Sequence, residues 1–223
     1  MGWFLALRRA IWVVLILAPL LPVLALVVHR QSGKYRVHPW MDRLAVLLLF
    51  QLLVNWVMLG TALNGIHNDW QEDLSFLPEM MISLWVLAGV GRFPLPRIIL
   101  LASAGLMAIC ATLDATQVGL EKTWPLAWTV ASILLLGLCI WQLVRLMIQR
   151  DLERIWNQPA FWLLAPWSLI LGVDLTFFPL HNYFLKHLSR TWIVVPWFAK
   201  YLIGLILNLG IARTFLCPKP SSS

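Results

Sequence analysis

Charged residues are scarce in this 223-residue chain: Asp, Glu, Lys and Arg make up 12% of it, whereas hydrophobic residues make up 61%. A soluble domain carries about 25% charged residues, so the composition excludes an ordinary soluble protein. The mean hydropathy of +0.80 indicates a polytopic membrane protein. Because a span needs about 20 residues, the chain has room for roughly six to eight spans and no extramembrane domain of useful size.

Cysteines and recognisable catalytic motifs are also few. Cys110, Cys139 and Cys217 lie far apart, which excludes a disulfide framework or a zinc-binding spacing. The sequence contains no nucleophile elbow, no P-loop and no glycine-rich dinucleotide turn, so nothing in it indicates an enzyme. Acidic residues number 10 against 17 basic ones. These basic residues flank apolar runs, so the lipid bilayer is the expected partner and nucleic acid is not.

The apolar runs predict a single all-α domain over residues 1–223 with seven transmembrane helices. Loops between the runs are short and carry most of the charged residues. Pro78 falls at the predicted start of the third span, where a proline is well tolerated. The predicted spans cover about residues 10–28, 41–63, 77–90, 98–113, 126–148, 161–183 and 192–215.

The distribution of basic residues predicts that the N-terminus lies outside and the C-terminus in the cytoplasm. With seven spans, this orientation places eleven of the seventeen basic residues on the cytoplasmic side, as the positive-inside rule requires. Arg8 and Arg9, before the first span, argue for the opposite orientation. The cytoplasmic set is Arg30, Lys34, Arg36, Arg43, Arg92, Arg97, Arg145, Arg150, Arg154, Arg213 and Lys219.

Asp174 and Lys200 are the two charged residues deep inside apolar sequence. At about 1.5 Å per residue, Asp174 lies roughly 15 Å from the end of the sixth span and Lys200 roughly 12 Å from the start of the seventh. The two charges therefore sit at similar depth on consecutive helices. An ionisable residue at such a depth is costly and marks a candidate functional site, and each is the natural partner of the other.

Other polar residues gather towards the predicted outer side. They suit either a packed outer rim with solvated loop charges, which is the simpler interpretation, or an outward-opening cavity for a small ligand. Three interpretations of this site remain open. The first is a structural ion pair of Asp174 with Lys200, and the second is recognition of an anionic group by Lys200, with Asp174, Glu79 and Asn182 as acceptors. The third is a metal site, although no metal-ligand spacing supports it. Its ligands would be His67, Asp69, Glu79, Asp114 and His181.

Two further polar residues lie within the second span. Gln51 and Asn55 are one turn apart and face the same side of the helix, which favours hydrogen bonding between helices over a ligand site.

A lysine in the last of seven helices also invites comparison with the retinal-binding lysine of microbial rhodopsins. The third span offers no carboxylate at its middle to act as counterion, only Glu79 at its end. A retinal cofactor is therefore not expected.

Three short motifs resemble a family of small seven-span membrane proteins from Bacteroidota. They are Asn64-Gly65-Ile66-His67-Asn68-Asp69-Trp70, Asn157-Gln158-Pro159-Ala160-Phe161-Trp162 and Phe215-Leu216-Cys217. In the second motif, Gln158 separates an asparagine and a proline that are adjacent in the family. The resemblance implies a bacterial inner-membrane location and an accessory or sensory role in two-component signalling, and it assigns no residue a function.

These observations lead to one functional hypothesis and two alternatives. The hypothesis is a sensory or accessory subunit that binds a small ligand on its outer side and signals to a partner protein through a basic cytoplasmic surface. The alternatives are a transporter or channel that uses the Asp174–Lys200 pair, and a structural subunit of a larger membrane assembly. The basic surface comprises Arg92, Arg97, Arg145, Arg150 and Arg154.

Overall fold

A computed structural model describes residues 18–32, 35, 38–64, 69–90, 95–117, 119, 124–148, 155–187 and 194–217. Within these ranges the fold is all-helical, as the sequence predicts, and contains seven long helices. They are α1 (Leu20–Ser32), α2 (Pro39–Leu63), α3 (Asp69–Gly89), α4 (Arg97–Gln117), α5 (Pro125–Ile148), α6 (Pro159–His187) and α7 (Val194–Phe215).

Four of these helices are long and apolar enough to cross a membrane. The qualifying stretches are Pro39–Thr61, Arg97–Gln117, Pro125–Ile148 and Pro159–Leu180. Large apolar side chains on the outer faces remain uncovered, among them Leu53, Ile98 and Leu101, which are 63%, 76% and 73% exposed. Apolar surface on this scale is incompatible with water and suits contact with lipid.

The helices pack in chain order around a closed ring. Each helix contacts the next, α7 returns to contact α1, and α3 also reaches across to α5. The contact between α1 and α7 closes the ring and includes a hydrogen bond, in which His29 Nδ1 donates to the carbonyl oxygen of Phe215 at 2.8 Å. Because both residues lie near the C-terminal ends of their helices, α1 and α7 run parallel.

Contacts between helix ends show that neighbouring helices alternate in direction. Arg43 near the start of α2 donates to the carbonyl oxygen of Trp85 near the end of α3, at 2.9 Å. Thr214 at the end of α7 donates to the carbonyl oxygen of Pro159 at the start of α6, at 3.3 Å. One end of the bundle, here called the arginine end, consequently carries Arg30, Arg43, Arg97, Arg145 and Arg213.

The opposite end of the bundle, here called the acidic end, holds buried carboxylates. Asp73 on α3 and Asp114 on α4 are 2% and 4% exposed. Asp114 Oδ2 accepts a hydrogen bond from the backbone N–H of Ala127, in the first turn of α5, at 2.7 Å. A carboxylate at a helix N-terminus satisfies an orphan N–H and interacts favourably with the helix dipole. This bond therefore fixes the start of α5 against the end of α4.

The helix that carries the third predicted span begins before that span. Residues 77–90 were expected to begin a helix at Leu77 with Pro78 in its first turn, but α3 begins at Asp69 and contains Pro78 in its interior. The acidic residues before Leu77 are the cause, because carboxylates in a first turn favour the positive end of the helix dipole. Pro78 removes one N–H from the hydrogen bonds of the helix, which a membrane helix tolerates.

Other helix bounds differ from the predicted spans by smaller amounts. α2 starts two residues and α5 one residue before the predicted span, and both end where the predicted span ends. α7 also ends at the last residue of its predicted span. α4 continues to Gln117, so Asp114 lies inside the helix instead of after it. α6 is four residues longer than predicted at its end. Residues 10–17 of the first predicted span lie outside the described ranges.

Candidate functional site

The Asp174 carboxylate and the Lys200 ammonium form an ion pair that joins α6 to α7. Lys200 Nζ lies 3.0 Å from Asp174 Oδ1, and the two side chains are only 14% and 13% exposed. The structure thus brings together the two charges that the sequence places at similar depth. Apolar helices surround both residues, so the pair is screened far less than an ion pair in water.

Two phenylalanines of α6 surround the lysine. Lys200 Nζ lies 4.1 Å from the ring centroid of Phe178 and 5.1 Å from that of Phe177. A lysine ammonium over an aromatic face is attracted by the ring quadrupole, and the attraction grows when the site is desolvated. Asp174 and the adjacent rings therefore hold the ammonium from one helix, α6.

The aromatic contact extends from Lys200 to a tryptophan of α5 and onward to α3. Phe178 stacks on Trp128 with ring centroids 4.8 Å apart, and Phe76 meets Trp128 edge-on at 4.8 Å. All three rings are at most 8% exposed. Aromatic pairs of this kind add about 0.5–1.5 kcal/mol beyond the burial of their area. Lys200 thus packs against a buried aromatic layer made of Phe178, Trp128 and Phe76.

Asp73 holds this aromatic layer in place through hydrogen bonds, and it is the residue that sequence reasoning missed. Its Oδ1 accepts hydrogen bonds from the backbone N–H of Trp124 and from the indole N–H of Trp128, each at 3.3 Å. Because these partners are 51 and 55 residues away, no local pattern joins them. The run of acidic residues before an apolar stretch, however, is a helix-start signal that would have placed Asp73 on a helix.

Glu79, proposed as an acceptor near Lys200, has a partner on α2. The side-chain N–H of Gln51 donates to Glu79 Oε1 at 2.7 Å. This bond joins α2 to α3, as expected of a polar residue that links membrane helices. Asn55, one turn further along α2, is half-buried.

Of the remaining predicted site residues, the structure describes some and leaves others outside its described ranges. Arg97 is exposed at the start of α4, and Arg145 stacks on Trp141 with its Cζ 4.6 Å from the ring centroid. His67, Arg92, Arg150 and Arg154 lie outside the described residues, as do the side chains of Asp69, His181 and Asn182. Within the described part, no three His, Cys, Asp or Glu residues are grouped closely enough to hold a metal ion.

No protein-family model, curated protein or solved structure matches the chain.

Proposed function

We propose that this chain is a seven-span membrane protein that acts as a sensory or accessory subunit, and that Lys200 recognises a small anionic ligand. In this proposal the arginine end faces the cytoplasm and the acidic end faces outward, in a bacterial inner membrane. The orientation is drawn from the positive-inside rule, because the five arginines with described side chains all lie at the arginine end: Arg30, Arg43, Arg97, Arg145 and Arg213.

The observation that carries the proposal is the buried Asp174–Lys200 pair between adjacent helices. A buried ion pair gives little net stability, because desolvation of both charges offsets most of their attraction. Two apolar residues of similar size would join α6 and α7 at least as well. A chain that nevertheless keeps a lysine at this depth suits a role in which the ammonium can change partners.

A ligand carboxylate or phosphate that reached Lys200 would compete with Asp174 for the same ammonium. Binding would then favour an arrangement in which α7 is no longer held to α6 through this pair. A ligand shifts such an equilibrium only by its difference in affinity for the two states. Asp174 supplies that difference in affinity. It occupies Lys200 in the state with the ion pair intact, and it leaves Lys200 open to the ligand in the state with the pair broken.

The signal would reach a protein partner at the arginine end, through the α6–α7 unit. Arg97 and Arg145 belong to the surface expected to meet that partner, together with Arg92, Arg150 and Arg154. Charged surfaces of one sign favour partners of the opposite sign and accelerate their association. An acidic cytoplasmic surface on the partner is therefore expected.

Native mass spectrometry of the protein, extracted gently from its own membrane, tests this proposal. We expect the wild-type chain to carry a small anionic molecule and to retain a protein partner. Lys200→Met should lose the small molecule, whereas Arg97→Gln, at the far end of the bundle, should keep it. A bare wild-type chain, or a small molecule retained equally by Lys200→Met, would overturn the proposal.

A transporter or channel is the second candidate, because an ion pair that joins two membrane helices is also suited to coupling or gating. Ion or solute flux in proteoliposomes that disappears on Asp174→Asn would favour it over the sensory role.

A further inference from the structure

A cluster of aromatic rings lies at the arginine end, where α7 finishes against the start of α6. Trp156, Phe161 and Trp162 are in mutual contact, with ring centroids 4.8–6.0 Å apart. The indole N–H of Trp162 donates to the carbonyl oxygen of Trp156 at 2.7 Å, which fixes the Trp162 ring relative to the backbone of Trp156. Trp156 is 57% exposed, so the cluster forms part of the outer surface.

Arg213 places a positive charge beside this cluster. Its Cζ lies 5.9 Å from the ring centroid of Trp162, and its side chain is exposed. Among the described residues Arg213 has no carboxylate partner, since the one described acidic side chain at this end, Asp42, pairs with Arg30. The guanidinium therefore presents its donors outward from an aromatic surface.

An exposed apolar stripe leads along α7 to Arg213. Leu202, Ile206 and Leu209 are 44%, 49% and 52% exposed. Together with Arg213 they follow the spacing of a single helix face, over about 16 Å of helix. This face is thus apolar along its length and cationic at its end. It therefore complements a lipid that has an apolar acyl chain and one acidic headgroup.

We propose that Arg213, Trp156 and Trp162 form a binding site for the headgroup of an anionic phospholipid, with an acyl chain along the Leu202–Leu209 stripe. Guanidinium groups bind phosphate oxygens through paired N–H donors. Tryptophan rings favour the headgroup level of a bilayer. The site is separate from the Asp174–Lys200 pair and does not depend on the proposed sensory role.

Arg97 supplies a matched control at the same end of the bundle. It is exposed and follows the same pattern of a cation beside exposed apolar residues, Ile98 and Leu101. Within the described part it has no aromatic ring against it. A comparison of the two arginines therefore separates a defined site from general attraction between positive charge and acidic lipid.

The test is native mass spectrometry of the full chain in mild detergent, titrated with phosphatidylglycerol or with phosphatidylcholine of the same acyl chains. We expect the wild-type chain to bind phosphatidylglycerol about fivefold more tightly, because one arginine near an acidic headgroup contributes about 1 kcal/mol. Arg213→Gln should bring the two affinities close together, to a ratio near one. Arg97→Gln should leave it within about twofold of the wild-type value, since Arg97 lacks the aromatic surface.

Two further variants test the proposal if size-exclusion chromatography shows that Arg213→Gln folds poorly. Arg213→Lys should retain part of the preference, because it keeps the charge and loses the paired donors. Trp156→Leu should weaken phosphatidylglycerol binding without breaking the bond to its backbone oxygen. Equal binding of the two lipids by the wild-type chain, or an equal loss in Arg97→Gln and Arg213→Gln, would overturn the proposal. Unchanged binding in Trp156→Leu would do so as well.

Discussion

Two ion pairs in this protein show how strongly burial changes the meaning of the same chemistry. Arg30 and Asp42 pair at the surface with side chains 57% and 61% exposed. Such pairs are screened by solvent and contribute about 0–1 kcal/mol. Asp174 and Lys200 are about four times less exposed, so each charge depends on its partner. Removal of either one leaves an unpaired charge in apolar surroundings.

Asp73 is expected to be essential for the packing of α5. Asp73→Ala removes the acceptor of two hydrogen bonds, one from Trp124 just before α5 and one from Trp128 within it, and leaves these buried N–H groups unsatisfied. We expect a loss of about 2–4 kcal/mol in the free energy of unfolding, since each unsatisfied buried donor costs about 1–3 kcal/mol. The measurement is thermal unfolding in mild detergent.

Thr116→Ala is the control for Asp73→Ala. Thr116 is exposed, and its hydroxyl donates to the carbonyl oxygen of Leu113 within its own helix. Its removal should change stability by less than about 0.5 kcal/mol. A similar effect of both substitutions would show that Asp73 is not an anchor.

The contact between α6 and α7 depends on a proline of one helix and a glycine of the other. Pro166 lacks an N–H, so the carbonyl oxygen of Trp162, one turn earlier, has no partner from the proline. Gly210 of α7 packs against Trp162 and Pro166 of α6. A Cβ added to Gly210 would lie 2.7 Å from the Trp162 carbonyl oxygen and 2.4 Å from Pro166 Cγ. Close approach of two membrane helices commonly requires a small residue at the crossing.

Gly210→Ala should separate the two helices. The added methyl group meets backbone and a rigid proline ring, neither of which can move aside cheaply, so we expect a loss of about 1–3 kcal/mol in stability. Gly204→Ala, on the same helix, has nothing within 4 Å of the new Cβ and should be neutral or slightly stabilising. Thermal unfolding of both variants checks this, and equal melting temperatures would refute the packing argument.

Helices were easier to predict from the sequence than their contacts. Long apolar runs predicted the bounds of α2 and α5 closely, and the similar depth of Asp174 and Lys200 indicated their pairing. Pro78 misled the prediction of α3, because a proline is favoured at a helix start and is tolerated within a membrane helix. The role of Asp73 was missed because its partners are distant in sequence. The stacking of Trp128 on Phe178 was missed for the same reason.

At the scale of the whole molecule, the described charges are divided between the two ends of the bundle. The described arginine side chains collect at the arginine end, and the buried carboxylates Asp73 and Asp114 lie at the other. The positive-inside rule predicts that the arginine end is cytoplasmic. The sensory proposal needs this orientation, because it requires access to Lys200 from outside and a partner inside.

Single introduced cysteines test this orientation. Gln117 ends α4 at the acidic end, and Ile148, which is 79% exposed, ends α5 at the arginine end. The native cysteines are buried and should label poorly. In intact cells, Gln117→Cys should react with a membrane-impermeant maleimide, whereas Ile148→Cys should react only after permeabilisation. The reverse pattern would invert the molecule and remove the basis for an outward-facing site.

The most direct test of the central claim is a double-mutant cycle on Asp174 and Lys200, measured by unfolding in mild detergent. Asp174→Leu and Lys200→Met should each cost about 3–5 kcal/mol, because each leaves the other charge unpaired. The double variant should be far more stable than the sum of the two losses predicts. Asp42→Asn, which breaks the exposed pair, should cost less than about 1 kcal/mol. Losses at Asp174 and Lys200 that simply add would show that the two charges do not act as a pair, and would contradict the account.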